Sequence, residues 1–229
     1  MKPRLLIACD FDGTVTRQDT LVKILDRYGS AQWRDVQKRV VSGEISIREG
    51  LQQEMGSVRA SLEELKSILA DQVEVDPSFP GFLRKMRRQG IPLICLSGGF
   101  DLCIETVLVK AGLWPLPTLA NRLIPPHPAL SPKGGEDKGE GWRVEFPYPS
   151  DQCKSCGHCK GDSIRSWNAQ GYATVFVGNG VTDRCAARNA KMTFAKDELH
   201  AWCQANGIPS AAYQTFSDIE QELTRRAWL

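Results

Sequence analysis

Short apolar runs that stop at polar or glycine-rich turns recur along the chain and predict the strands of a sheet. Residues 5–9 stop at Asp10, residues 93–96 stop at Ser97, and residues 173–177 stop at a glycine turn. The runs are apolar without alternation, which is typical of strands covered on both faces of a parallel sheet. Segments with helical spacing separate them, so we predict an α/β fold whose functional turns meet at one edge of the sheet.

Residues 17–78 follow a different pattern, because they show helical spacing without a strand-like apolar run. We predict that they form a small helical cap, inserted after the first strand. Residues 1–16 and 79–229 then form a Rossmann-like, three-layer core with a mostly parallel sheet. Helix starts are indicated by side chains that cap a helix N-terminus. These signals are Asp19, Ser46 with Glu49, Ser61 with Glu64 and, in the last helix, Ser217 with Glu220.

Residues 121–146 interrupt the alternation of strands and helices. Residues 121–124 and 142–146 are short segments that can pair as an antiparallel flap. The 17 residues between them, 125–141, include four prolines and four glycines. We expect this connector to be a flexible insertion, since such surface segments are more often passive linkers than binding segments.

Composition and charge narrow the classes of partner. The chain has 229 residues, 41% of them apolar, and 29 basic against 27 acidic side chains give a net charge of +2. This balance gives no reason to expect a nucleic-acid or membrane partner. Asp10 and Asp12 end the first apolar run, so no signal peptide is visible, and no stretch approaches the roughly 20 apolar residues of a membrane span. We expect a cytoplasmic protein whose eight cysteines are reduced thiols.

Two carboxylates, Asp10 and Asp12, lie two residues apart at the end of the first predicted strand, just before Gly13. Alternate residues of an extended chain point the same way, so both carboxylates can share one site. Two close anions are tolerated where a divalent cation or a phosphate-handling site requires them. A solvated strand-to-loop turn is the plainer alternative when this stretch is considered alone.

Later stretches favour the phosphate-handling interpretation. In chain order, residues 10–14, residues 97–99, Lys160 and residues 178–183 resemble the four motifs of the haloacid dehalogenase superfamily phosphatases. The resemblance implies a magnesium-dependent phosphomonoesterase that acts on a small phosphorylated metabolite. Asp10 would attack phosphorus to give an aspartyl phosphate. Asp12 would protonate the leaving group and then activate water, and Lys160 would neutralise negative charge.

The resemblance also implies a phosphate-binding set and a metal-binding set. The phosphate would be bound by Thr14, Ser97 and the backbone of Gly98, and Mg²⁺ by Asp10, Asp12, Asn179 and Asp183. Asn179 departs from the family pattern, which usually has an aspartate there. An amide oxygen can still coordinate magnesium, so we expect an active enzyme with weaker metal binding.

The predicted cap resembles that of the phosphoserine-phosphatase-like branch of this superfamily. In that branch an acidic residue near Asp19 often contacts the substrate, although Asp19 can equally serve only as a helix N-cap. The branch's phosphoserine enzymes use a cap arginine for the substrate carboxylate. Arg48 lies near the expected region but out of register, so no residue is assigned to that role.

A cysteine-rich segment precedes Lys160 and contains Cys153, Cys156, His158 and Cys159. Two interpretations stay open: a compact zinc site, or reduced thiols packed in a turn that positions Lys160. The adjacency of His158 and Cys159 argues against zinc, because neighbouring residues cannot easily both face one tetrahedral ion.

This segment, together with residues 46–50, looks most like the methionine-salvage subfamily of these phosphatases. That likeness implies 2-hydroxy-3-keto-5-methylthiopentenyl-1-phosphate as the substrate. Phosphoserine, or another small amino or sugar phosphate, is the alternative within enzymes. Outside enzymes, the Asn179 change and the cysteine segment are also consistent with a catalytically weak metal-binding or regulatory module on the same fold.

Overall fold

The computed structural model describes residues 3–126 and 141–229, which contain a seven-stranded sheet. The strands are β1 (Leu5–Cys9), β2 (Leu93–Phe100), β3 (Thr118–Ile124), β4 (Arg143–Glu145), β5 (Ala173–Gly178), β6 (Met192–Ala195) and β7 (Ser210–Ala212). Their order is β4-β3-β2-β1-β5-β6-β7. Every neighbouring pair is parallel except β3 with β4.

Helices cover both faces of the sheet and form the segment after β1. The helices are α1 (Thr20–Tyr28), α2 (Trp33–Val41), α3 (Ile47–Gly56), α4 (Leu62–Gln72), α5 (Phe79–Arg88), α6 (Asp101–Lys110), α7 (Lys160–Ala169), α8 (Arg184–Asn189), α9 (Asp197–Ala205) and α10 (Phe216–Arg225). Among the described residues, no helix is long and apolar enough to cross a membrane.

The predicted helix starts are confirmed in the segment after β1 and wrong at the last helix. Asp19 caps α1, and the capping boxes at Ser46 and Ser61 both form. Helix α10 is instead capped by Thr215 with Asp218. It begins earlier than predicted because Phe216 is buried there, against Phe79 and Phe82.

Alternate residues of β1 face two hydrophobic clusters, one on each side of the sheet. Leu5, Ile7 and Cys9 belong to one cluster, and Leu6 and Ala8 to the other. Burial on both faces explains the unbroken apolar run in the sequence. The mostly parallel sheet with helices on both faces confirms the predicted α/β class.

The helical segment α1–α4 leaves the core and returns to it at one place. Thr16 and Val75 form an antiparallel bridge there, and the Asp76 N–H donates to the carbonyl of Val15 at 2.8 Å. The first cluster also includes apolar residues of α1, α3 and α4, so this segment packs on one face of the core. The exact division into a core and a cap at residues 17–78 stays a prediction.

The predicted antiparallel pairing of residues 121–124 with the segment after the connector is confirmed, since β3 pairs with β4. Strand β3 also continues the main sheet, because it pairs in parallel with β2. Trp142 fastens this edge to the helical segment: its indole N–H donates to the Ala60 carbonyl at 2.9 Å, and its main-chain N–H to Met55 at 3.1 Å. Residues 127–140 of the predicted flexible connector lie outside the described residues.

Candidate active site

The C-terminal ends of three adjacent strands bring the sequence motifs together. Strand β1 lies between β2 and β5, with Cys9 opposite both Cys95 and Val177. The next residue, Asp10, donates its main-chain N–H to the Val177 carbonyl at 2.9 Å. Because parallel strands end at the same edge, the acidic turn, the serine-glycine turn and the 178–183 turn face one cleft.

Lys160 lies between two carboxylates beneath the cleft, where it contacts the lining residue Asp10 without lining the cleft itself. Its Nζ atom donates to Asp10 Oδ1 at 2.5 Å and to Asp183 Oδ1 at 2.6 Å, and all three side chains are buried. Burial and the Asp183 charge raise the pKa of Asp10 to about 7, against the opposing effect of Lys160. Burial would lower the pKa of Lys160, but the two carboxylates outweigh it and hold that pKa above its ordinary value.

Asp183 uses both of its oxygen atoms within the protein. Oδ1 accepts from Lys160, and Oδ2 accepts the main-chain N–H groups of Asn179 at 2.9 Å and Gly180 at 3.0 Å. These bonds hold the turn after β5 in place. Asp183 therefore has partners other than the metal that the resemblance implied. Within residues 3–126 and 141–229, no group of three or more His, Cys, Asp or Glu side chains is arranged to hold a metal ion.

The Asn179 amide lies against oxygen atoms of the first motif. One terminal atom of this amide is 3.1 Å from Asp10 Oδ2, 3.2 Å from the Asp12 carbonyl oxygen and 3.0 Å from Thr14 Oγ1. With nitrogen in that position, the amide donates hydrogen bonds to these oxygens. With oxygen in that position, three oxygen atoms of Asp10, Asp12 and Asn179 are neighbours, and oxygen is the ligand that Mg²⁺ prefers.

The Asp12 side chain lines the cleft and contacts the start of α1. Its Oδ1 accepts the main-chain N–H of Thr20 at 2.7 Å. Burial, followed by the nearby Asp19 charge, raises the pKa of Asp12 to about 8. Gly99 permits this placement, because a Cβ atom there would lie 2.9 Å from Asp12 Oδ2. Asp12 can therefore hold a proton near neutral pH.

The predicted phosphate contacts differ in their surroundings. Ser97 is buried, its Oγ accepts the Gly99 N–H at 2.9 Å, and both Ser97 and Gly98 line the cleft. Thr14 is also buried, but its hydroxyl lies 3.0 Å from the Asn179 amide and it is not part of the cleft lining. Gly13 has a positive φ of 72°, and a Cβ atom there would clash with the same amide.

The cleft has a volume of about 460 Å³, and its two sides differ. The core side presents the motif residues already described. The helical side presents five apolar residues and two acids, and none of the described lining residues is lysine or arginine. The helical side consists mainly of Leu21, Val40, Val41, Ile47 and Leu51 with Asp19 and Glu54.

The two roles considered for Asp19 are compatible with its position. Its Oδ1 accepts the Val22 N–H at 3.0 Å as a helix cap, and the residue also lines the cleft. Arg48 lies elsewhere. Its guanidinium stacks over the Phe146 ring at 4.4 Å, and its main-chain N–H donates to the Ser155 carbonyl at 3.1 Å. Arg48 therefore connects α3 to the core and is not part of the described cleft lining.

Glu54 is a site residue that the sequence analysis missed. It is 4% exposed and lines the cleft from α3. The sequence contained a signal for this residue: an acidic side chain on an apolar helix face. Glu54 shares that face with Leu51, Met55 and Val58, which follow helical spacing. A carboxylate on such a face requires a partner or a function.

The contacts of His158 do not support the zinc interpretation of the cysteine-rich segment. The His158 Nε2 atom lies 2.9 Å from Ser163 Oγ, and the ring stacks on Tyr148. All eight cysteines are free, and the thiol of Cys156 shares a hydrogen bond with Cys185, which lowers the pKa of Cys185 to about 6. The thiols of Cys153 and Cys159 also interact with these two. Free thiols packed beside Lys160 agree with the second interpretation, and nothing in the described residues supports zinc.

Curated proteins similar to the chain share one name. No family model matches. The 2-hydroxy-3-keto-5-methylthiopentenyl-1-phosphate phosphatase of Bacillus pumilus (strain SAFR-032) is 28% identical over 220 residues, 95% of this chain and 90% of the relative. The protein of that name from Geobacillus kaustophilus (strain HTA426) is 28% identical over 228 residues, 98% of each chain. The Bacillus cereus (strain AH187) protein is 29% identical over 220 residues, 95% and 94% of the two chains.

Solved structures agree with these relatives. A phospho-aspartyl intermediate analogue of phosphoserine phosphatase superposes with a TM-score of 0.68 at 18% identity, covering 97% of this chain and 99% of that chain. A haloacid dehalogenase family hydrolase from Salmonella enterica serovar Typhi also gives a TM-score of 0.68, at 15% identity, covering 94% of this chain and 69% of that chain. The fold and the full-length relatives confirm the resemblance that the motifs carried, to the haloacid dehalogenase superfamily phosphatases.

Proposed function

We propose that the chain is a magnesium-dependent phosphomonoesterase that hydrolyses a small metabolite phosphate through an aspartyl phosphate on Asp10. The observation that supports this proposal is the 2.5 Å contact of the buried Lys160 with Asp10, which lines the same cleft as Asp12. A nucleophile, a cation that neutralises charge and a carboxyl group that can hold a proton therefore share one site.

The proposed reaction has two steps. The Asp10 carboxylate attacks phosphorus, the ester P–O bond breaks, and the leaving oxygen takes the proton of Asp12. In the second step the Asp12 carboxylate takes a proton from water, whose oxygen attacks phosphorus and releases Asp10. Lys160 holds Asp10 in one orientation, and Ser97 and the Gly98 main chain supply hydrogen bonds to the phosphoryl oxygens.

Magnesium fits the oxygen atoms beside Asn179. Asp10 Oδ2 and the Asp12 carbonyl oxygen lie 3.1 and 3.2 Å from one terminal atom of the Asn179 amide. With the amide oxygen in that position, these three oxygen atoms would hold the ion. When bound, the ion screens the repulsion between the phosphate and the acidic pair. Asp183 supports this set through Lys160 and the 178–183 turn. Because Asp10, Asp12 and Lys160 lie together, we favour turnover over a regulatory module without activity.

The lining of the cleft favours the salvage substrate over phosphoserine. The relatives are named for 2-hydroxy-3-keto-5-methylthiopentenyl-1-phosphate, which bears a hydroxyl and a methylthio group but no carboxylate. Phosphoserine bears a carboxylate, which Asp19 and Glu54 would repel in a cleft whose described lining has no lysine or arginine. The apolar side suits a methylthioalkyl chain.

Eight free cysteines favour the reducing cytoplasm as the location.

Phosphate release tests both parts of the proposal. We expect hydrolysis of para-nitrophenyl phosphate with Mg²⁺, loss of that activity in Asp10→Asn, and normal activity in the control Asp35→Asn, at an exposed position on α2. A panel that includes the salvage intermediate and phosphoserine then ranks the substrates. A wild-type protein that releases no phosphate contradicts the function, and strong preference for phosphoserine contradicts the substrate assignment alone.

A further inference from the structure

Glu54 has a buried carboxylate that the proposed reaction does not use. Its side chain lies on α3, is 4% exposed and faces the cleft that holds Asp10 and Asp12. Its Oε1 atom has no hydrogen-bond partner among the residues that the structure describes. A buried carboxylate oxygen without a partner is unfavourable, so its retention in a substrate cleft points to a ligand that completes it.

The neighbours of Glu54 do not give it a structural role. The charged groups on the described lining are all acidic: Asp10 and Asp12 from the core, Asp19 at the start of α1, and Glu198 from α9. Burial and the charge of Asp19 raise the pKa of Glu54 to about 7. Within residues 3–126 and 141–229, Glu54 therefore belongs to no ion pair that would stabilise the fold.

We propose that Glu54 is a specificity residue that accepts a hydrogen bond from a hydroxyl or ammonium group on the alcohol part of the substrate. This inference rests on the proposed function. The phosphoryl group lies at Asp10 and Lys160, and the donor group of the substrate reaches Glu54 on the opposite side of the cleft. Ile47 and Leu51 on the same helix contact the remaining carbon chain. A carboxylate in the same position is excluded by charge.

Four small esters with similar chain lengths and different end groups test the inference. Propyl phosphate ends in a methyl group, 2-hydroxyethyl phosphate in a hydroxyl, 2-aminoethyl phosphate in an ammonium and carboxymethyl phosphate in a carboxylate. We expect the better of the two donor esters to exceed propyl phosphate in kcat/KM by about 10-fold or more, and the carboxylate ester to be the poorest. The comparison of the hydroxyl with the amino ester identifies which donor the site takes.

The variant Glu54→Met tests whether Glu54 causes this preference, which is the ratio of kcat/KM for the better donor ester to kcat/KM for propyl phosphate. We expect the preference for the donor ester over propyl phosphate to fall to near one, while the melting temperature stays the same or rises, because an unpartnered buried carboxylate is removed. The control Glu63→Met makes the same change at an exposed position of α4 and should keep the wild-type ratio. Esters that are bound without turnover are scored by their inhibition of para-nitrophenyl phosphate hydrolysis.

Two outcomes overturn the inference in different ways. If the wild type shows no donor preference, or if Glu54→Met keeps it, Glu54 does not select the substrate although the phosphatase function stands. A lower melting temperature in Glu54→Met with an unchanged ratio would assign Glu54 to folding instead. If the wild type releases phosphate from no ester, including para-nitrophenyl phosphate, the proposed function fails and the inference fails with it.

Discussion

The two sides of the cleft satisfy their polar groups in opposite ways. On the core side, Lys160 bridges Asp10 and Asp183, and Asp183 accepts two further main-chain hydrogen bonds. On the helical side, apolar residues line the cleft together with Glu54, whose Oε1 has no partner in the described part of the chain. The core side is preorganised for a phosphoryl group whatever the substrate, whereas the helical side leaves a polar group for the ligand. Under the proposed function and the proposed role of Glu54, the reaction and the choice of substrate therefore depend on different elements.

Lys160→Met should have the largest effect, because it removes the contacts of Lys160 with Asp10 and Asp183 on the core side of the cleft. Asp10 and Asp183 would remain as buried carboxylates without their cation, which lowers the free energy of unfolding by about 3–5 kcal/mol. We expect kcat to fall by about 10³-fold as well, since the charge on Asp10 and the phosphoryl group is no longer neutralised. Urea denaturation and phosphate release measure the two effects, with Lys154→Met, an exposed lysine nearby, as control. Wild-type stability in Lys160→Met would contradict the role of the bridge.

Asp12→Asn should separate proton transfer from phosphoryl binding on the same side. The asparagine keeps an oxygen for the Thr20 N–H but has no proton to donate to the leaving group. We expect kcat/KM to fall by about 10²-fold for an alkyl phosphate. The loss should be smaller for para-nitrophenyl phosphate, whose phenolate leaves without protonation. Equal losses for both esters would indicate that Asp12 only orients the site.

Asn179→Asp should test whether residue 179 is a ligand of Mg²⁺. The added negative charge should lower the Mg²⁺ concentration needed for half-maximal binding by about 10-fold. Without Mg²⁺ the variant should unfold more easily than wild type, because a donor to Asp10 and Asp12 becomes another anion. Calorimetric titration with Mg²⁺ and melting curves with and without the ion measure this. Asn206→Asp, at an exposed position, is the control, and an unchanged Mg²⁺ affinity in Asn179→Asp would remove Asn179 from the ligand set.

Trp142→Phe should have the smallest effect, since it weakens only the attachment of the helical segment. The variant loses the indole hydrogen bond to the Ala60 carbonyl and keeps most of the buried ring. We expect a loss of about 1 kcal/mol in the free energy of unfolding, with the ester preferences unchanged. Trp114→Phe, a partly exposed tryptophan, is the matched control for a melting experiment. A changed ester preference in Trp142→Phe would show that this attachment also shapes the specificity side.

The sequence by itself determined the core side of the cleft to a large extent. Unbroken apolar runs marked the strands, and the polar residues after them, Asp10, Ser97 and Asn179, had to meet because parallel strands end at one edge. Local capping chemistry likewise predicted the starts of α1, α3 and α4. These features depend on residues close together in the chain, or on a rule of topology that holds for the whole fold class.

Tertiary structure alone decided what each polar atom contacts. The resemblance placed Asp183 among the metal ligands, and the sequence left His158 open between a zinc site and a packed turn. In the structure Asp183 contacts Lys160 and two main-chain amides, and His158 contacts Ser163. Packing also brings Cys185 to the cysteine segment and turns Glu54 into the cleft. The physical reason is that helical periodicity defines an apolar face, but the rotation and placement of that face depend on contacts between residues far apart in the chain.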